Sequence, residues 1–205
     1  MNQKEIHIIS TGKQGPEEFC EIASLIHHNV TYIHIREKTY TARQLFDMVM
    51  LLNEANVPLS KIILNDRVDV ADVTGVSGVQ LAYHSLSAAS VKKRFPHLRI
   101  GCSVHSLAEL TKAQLDGADY VLFGHIYETH SKPGLLAKGV SELRRIVNQS
   151  SIPVIAIGGI KPLHVKDILE TGASGIAVMS GVLEAKDPLQ AMHEYVVQFE
   201  EGAEA

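Results

Sequence analysis

The residues best placed to do chemistry sit where apolar runs end. Tyr120-Val-Leu-Phe123 stops at Gly124-His125 and opens into a segment with Thr129, His130, Ser131 and Lys132. Histidine is the side chain whose ordinary titration falls near neutral pH, so an imidazole at the end of a buried strand suits general acid–base catalysis. Two later runs, Ile155-Ala-Ile-Gly-Gly-Ile160 and Gly175-Ile-Ala-Val-Met-Ser-Gly-Val-Leu183, end in Gly158-Gly159 and Ser180-Gly181. Glycine lets a backbone approach a ligand closely, and N–H groups at a helix start attract an anion. Phosphate is the expected ligand there.

Other strand ends carry charge. Arg36 and Lys38 flank Glu37. In an extended chain, alternation sends both to one side together with His34. Such a cationic pair can hold a carboxylate or a phosphate, and Lys38 can donate a proton. Asn65-Asp66 offers a carboxylate for Mg²⁺, or for orienting a loop and pairing with Arg67. Hard cations take several oxygen ligands, and the next strand end, Leu81-Ala-Tyr-His-Ser85, has no acid. No metal site and no cofactor are expected. The 11 histidines include no helical pair with an acid between. His27 and His28 are expected at a solvated helix end. No Gly-x-Ser-x-Gly elbow supports a covalent nucleophile.

Eight short runs rich in Ile and Val must position these groups: Ile6–Ile9, Tyr32–Ile35, Lys61–Leu64, Val79–Leu81, Leu98–Cys102, Tyr120–Phe123, Val154–Ile157 and Gly175–Val178. Most lack polar alternation, as strands of a parallel sheet do when both faces are covered. Helical patterns lie between them. Thr41-Ala-Arg-Gln44 and Ser106-Leu-Ala-Glu109 read as capping boxes, and Asp187-Pro188 opens the last helix. The alternation predicts an α/β fold, a (β/α)₈ TIM barrel over residues 1–205 as a single domain. An open doubly wound sheet would also alternate. The count of eight and the late phosphate-type loops favour the barrel.

The chain has 205 residues, 45% hydrophobic and 20% charged, with a formal net charge of −4. That balance argues against a nucleic-acid partner held by phosphate neutralisation. No apolar run suits a membrane span, and the N-terminus lacks a signal-peptide h-region. Cys20 and Cys102 lack metal-ligand spacing and read as packed free thiols, which fits a cytoplasmic location. Exposed barrel helices often associate, so a homodimer is compatible with the sequence.

Together these segments resemble the thiamin phosphate synthase family. Its pattern of Gln-x-Arg-x-Lys, Asn-Asp-Arg, Gly-Val-His-x-Gly-x-x-Asp, Gly-Pro-x-x-x-Thr with Lys-Pro, and Gly-Gly-Ile is met in order. Here it reads His34-Ile-Arg-Glu-Lys38, Asn65-Asp-Arg67, Gly78-Val-Gln-Leu-Ala-Tyr-His-Ser85, Gly124-His-Ile-Tyr-Glu-Thr129, Lys132-Pro133 and Gly158-Gly-Ile160. Three departures stand out. The family glutamine is His34, the second magnesium-binding Asp falls at Ser85, and the proline after Gly124 is His125. Loss of a metal ligand should cripple diphosphate departure. A gained histidine adds an acid–base group.

That combination resembles the TenI branch, the thiazole tautomerases. The resemblance implies a metal-independent isomerase of thiamin biosynthesis that acts on a small phosphorylated thiazole carboxylate. It implies His125 as base and Lys38 as acid or carboxylate anchor. Arg36, Thr129, His130, Ser131, Gly159, Met179, Ser180 and Gly181 would contact substrate. The alternatives are thiamin phosphate synthase itself, a transferase, and a non-catalytic regulatory protein on the same barrel.

Overall fold

A computed structural model describes residues 4–129 and 134–203. Eight parallel strands pair in sequence order and close on themselves, β8 against β1. They are β1 (Glu5–Ile9), β2 (Tyr32–Ile35), β3 (Ile62–Asn65), β4 (Gly78–Leu81), β5 (Arg99–Val104), β6 (Tyr120–Gly124), β7 (Val154–Ile157) and β8 (Gly175–Val178). The closed barrel, rather than the open sheet, is therefore the architecture.

The helices are α1 (Pro16–Ile26), α2 (Ala42–Glu54), α3 (Val68–Thr74), α4 (Ala88–Arg94), α5 (Leu107–Leu115), α6 (Gly139–Asn148), α7 (Val165–Leu169), α8 (Ser180–Leu183) and α9 (Pro188–Ala203). The sequence reading missed α8, one turn placed directly after β8. Helix α9 packs against α1, α7 and α8, which closes the outer ring.

The strands are apolar on both sides for two different reasons. Their outward residues, such as Ile8, Ile33, Ile62, Val121 and Ile176, are buried under the helices. Each such side chain contributes about 1.5–3 kcal/mol by leaving water. The inward residues form a separate, smaller cluster of Ile9, Ile63, Tyr120, Leu122, Ile155 and Ala177. Gly101 on β5 makes room for this lumen. A Cβ there would lie 2.4 Å from Tyr120 Oη and 2.3 Å from Gln80 Oε1.

Helix starts follow local chemistry. Thr41 forms the full capping box with Gln44. Ser106 forms only half of one: its hydroxyl accepts from Glu109 N, but the Glu109 carboxylate accepts from His105 N instead. Asp187 caps α9 by accepting from Gln190 N at 2.9 Å. The expectation for His27 needs correction. It lies in a 3₁₀ turn after α1 and is buried, whereas His28 is exposed. Lys61 donates to the carbonyls of His27 and Val30 and holds that turn against the start of β3.

Candidate active site

The barrel brings the C-terminal strand ends onto one rim. Ser10, after β1, is buried; its Oγ accepts from Arg36 N at 2.8 Å and its N–H donates to His34 O at 2.9 Å. This stitch carries β2 only to Arg36. A turn then begins, so Lys38 is exposed and Arg36 half-buried. Neither side chain is ion-paired among the described residues, so both cations are available to a ligand.

The predicted companionship of His34 with Arg36 and Lys38 does not hold. His34 is fully buried inside the barrel. Its Nε2 lies 2.9 Å from His7 Nδ1, and His7 Nε2 lies 2.8 Å from Glu5 Oε2. Glu5 also accepts from Arg99 at 2.8 and 3.0 Å. The Arg99 guanidinium is sandwiched between the Tyr32 and Tyr120 rings, 4.5 and 4.6 Å from their centroids. Burial pushes the His7 and His34 imidazoles below their ordinary range; Arg99 adds to this for both. Burial pushes the Glu5 carboxyl up, but hydrogen bonds from His7 and Arg99 outweigh it and hold the group low. Sequence reasoning missed Glu5, His7 and Arg99. The available signal was a polar residue flanked by isoleucines, as in Ile6-His7-Ile8 and Ile33-His34-Ile35, on two strands that must be neighbours.

His125 sits at the end of β6 and is 6% exposed. Its peptide bond with Gly124 is cis. Nε2 lies 3.2 Å from Leu135 O, while Nδ1 is buried without a described partner. The chain then leans onto the end of β7, with Ile126 N donating to Ile157 O and Tyr127 N to Gly158 O. Gly158 is required by contact: a Cβ would sit 2.5 Å from His125 Cβ, and its φ is +102°. The loop returns when Lys138 N donates to His125 O and Gly139 N to Ile126 O. Thr129 lies in this loop and is half-buried. His130 and Ser131 lie outside the described residues.

The two glycine-bearing ends are joined. Tyr195 of α9 donates to Ile160 O at 2.8 Å, and its hydroxyl lies where a Gly181 Cβ would come within 2.5 Å. Sequence reasoning gave Tyr195 no part in this. Val182 and Leu183 N–H both donate to Met179 O, so the N–H groups of Ser180 and Gly181 precede the helical ladder of α8. Ser180 and Gly181 are exposed and Met179 half-buried, beside Gly159, also half-buried. His125, Gly158, Gly159 and Ser180 thus occupy the ends of three consecutive strands, β6, β7 and β8.

The residues at the ends of β3 and β4 do not fit a magnesium ion with two carboxylates. Asp66 supplies one, in a left-handed conformation at φ +67°. Arg67 pairs with Asp69 rather than with Asp66, so that alternative for Asp66 is not met. At Ser85 the donor is a neutral hydroxyl, and it is already engaged, accepting from Ala82 N at 2.9 Å to close a turn. Among the described residues no group of three His, Cys, Asp or Glu could hold a metal. Both cysteines are free; burial pushes the Cys102 thiol up to about 11. No helix of the described residues is long and apolar enough to cross a membrane. Concavities of about 310 and 200 Å³ lie elsewhere, between α1 and α2 and near the start of β7. Neither is lined by these strand ends.

Fold and site together define a TIM barrel whose polar groups gather at the strand C-termini. The family model for thiamine monophosphate synthase matches residues 6–182. The chain is 34% identical to the thiamine-phosphate synthase of Pyrococcus horikoshii, covering 91% of this chain and 92% of that protein. It is 36% identical to the one from Chloroflexus aurantiacus, covering 85% and 82%. A solved thiamine phosphate pyrophosphorylase from Pyrococcus furiosus superposes with a TM-score of 0.83 at 32% identity, covering 98% of each chain. A 3-hexulose-6-phosphate synthase structure shares the fold at 16% identity and a TM-score of 0.73, covering 95% and 99%. The chain belongs to the thiamine monophosphate synthase family, and its place is in thiamin biosynthesis.

Proposed function

We propose that this chain is a thiazole tautomerase. The carrying observation is His125. A carbonyl can only accept, so the contact with Leu135 O assigns the ring proton to Nε2. The neutral imidazole then keeps its lone pair on Nδ1, which is buried with no described partner. That nitrogen is the base. It takes the proton from the ring carbon bearing the carboxylate. The C–H electrons shift through the ring, the exocyclic double bond opens, and the exocyclic carbon gains a proton. Atoms and charge balance without a second substrate, and aromatisation supplies the driving force.

Lys38 anchors the carboxylate or returns the proton, with Arg36 beside it. Gly159, Met179, Ser180 and Gly181 hold the phosphate through backbone N–H groups and the Ser180 hydroxyl. Thr129, His130 and Ser131 contact the substrate. No step runs through a metal.

A second reading, thiamin phosphate synthase, is favoured by the names of the relatives at 34% and 36% identity. One experiment separates the two. The non-aromatic thiazole carboxylate phosphate is given alone, and in parallel thiazole phosphate is given with pyrimidine diphosphate and Mg²⁺. The tautomerase reading expects turnover in the first vessel and none in the second. Condensation in the second alone establishes the synthase. Tight product binding without turnover in either points to a regulatory protein.

A further inference from the structure

The lumen contains a line of polar side chains that climbs from Glu5 through His7 and His34 toward the end of β3. Glu5 and His7 are on β1, His34 is on β2 and Asn65 ends β3. His34 pairs with Ile63 across β2 and β3, so Asn65 is its diagonal neighbour two residues nearer the open end. Alternation puts both side chains on the inner face of the barrel. Yet His34 Nδ1 and Asn65 Oδ1 are both buried without a hydrogen bond.

One placement of the protons gives both atoms a partner or solvent. Glu5 is clasped by Arg99 and is a carboxylate, so it only accepts. His7 must give it the Nε2 proton. A neutral His7 then has a bare Nδ1, which must accept from His34 Nε2–H. A neutral His34 in turn has a bare Nδ1, which needs a donor. Asn65 supplies one if its amide is turned over, an exchange of two nearly isosteric atoms. Both orphans are then removed together. The reverse polarity would need a protonated Glu5 or a buried imidazolium. The groups facing the pair are Glu5, Arg99, Asn65 and the rings of Tyr32 and Tyr120, 5.1 and 5.5 Å from the His7 ring. With Glu5 already held by Arg99, nothing else there balances a second cation.

We propose that Glu5, at the closed end of the barrel, sets the hydrogen-bond polarity of the open end through His7, His34 and Asn65. Its carboxylate fixes both imidazoles as Nε2–H tautomers. Asn65 is thereby held with its amide N–H on His34 and its carbonyl oxygen turned away from it, at the C-terminal end of β3. His34 and Asn65 are positioning residues. An acceptor at that rim repels phosphate and carboxylate oxygens and suits a ligand N–H or O–H. The anionic groups are thus confined to the Lys38 and Ser180 sides. This consequence for the ligand rests on the proposed pocket; the proton positions do not.

The test is nitrogen NMR on histidine-labelled protein at pH 7.5, without ligand. The expected spectrum shows His7 and His34 neutral, each protonated at Nε2 and bare at Nδ1. A proton on Nδ1 of either ring, or an imidazolium, overturns the proposal. Asn65→Asp provides the second arm, because a carboxylate cannot donate. His34 Nδ1 should then gain a proton. A folded variant in which it stays bare overturns Asn65 as its partner. A variant that fails to fold leaves the wild-type spectrum to decide. Failure of either arm leaves the proposed reaction standing, and failure of the tautomerase assay leaves these proton positions standing.

Discussion

The closed end and the open end of this barrel treat charge in opposite ways. At the closed end Glu5 and Arg99 are half-buried, paired and flanked by Tyr32, Tyr120 and two imidazoles. At the open end Lys38 is exposed and Arg36 half-buried, neither with a described ionic partner, and His125 Nδ1 makes no described hydrogen bond. Paired charges in a lumen are costly to break and hold the barrel in one arrangement. Unpaired charges on a rim cost little to leave in water and are free for a ligand. The same side-chain types therefore serve structure at one end and, on the proposed function, chemistry at the other. Partners and burial separate the two roles, and residue type does not.

Substitutions at the two ends should separate the roles in turn. The largest effect is expected from His125→Asn, which should lower kcat for tautomerisation by about 10²–10⁴-fold. Chemical denaturation of that variant should give nearly the wild-type midpoint. At the closed end, Arg99→Met strands the Glu5 carboxylate and should cost about 3–5 kcal/mol of stability, read from urea curves. Lys38→Gln should raise KM for the thiazole carboxylate phosphate by about 10–100-fold, the loss of one charge-assisted hydrogen bond, and leave stability unchanged. If Lys38→Gln destabilised the fold as much as Arg99→Met, the contrast between the ends would be lost.

Two smaller effects sharpen it. His7 and His34 are held neutral in the fold, so below the ordinary histidine value near 6.5 the unfolded chain binds protons that the folded chain does not. Their stabilisation is complete above that value and is lost as the pH falls through and below it. The slope is up to about 1.4 kcal/mol per pH unit for each ring. Denaturation curves between pH 7.5 and 5.5 should show it, and His34→Gln should flatten it. Away from both ends, Thr41→Ala removes the α2 cap and should cost about 1 kcal/mol with no change in turnover.

The barrel was legible because its strands are covered on both faces. Tyr32–Ile35, Val154–Ile157 and Gly175–Val178 coincide with observed strands, since runs of Ile and Val have no other stable use there. The run ending at Cys102 was read too short. β5 continues to Val104 through Ser103, which accepts from Gln80 inside the barrel. A polar lumen breaks the apolar pattern that marks a strand. The positions of His125, Gly158 and Ser180 at or just past strand ends were legible. Tyr195 was not, because it reaches the rim from α9, far along the chain. Nor was the role of His34, because strand alternation continued past Ile35 on paper but gives way to a turn in the fold.

On the proposed function His125 moves a proton on carbon. The direct test is turnover of the non-aromatic thiazole carboxylate phosphate in D₂O, with deuterium at the exocyclic carbon followed by NMR. Wild type should yield aromatic product carrying solvent deuterium there, and His125→Asn should bind the substrate yet yield almost none. Equal turnover by wild type and His125→Asn would contradict that role.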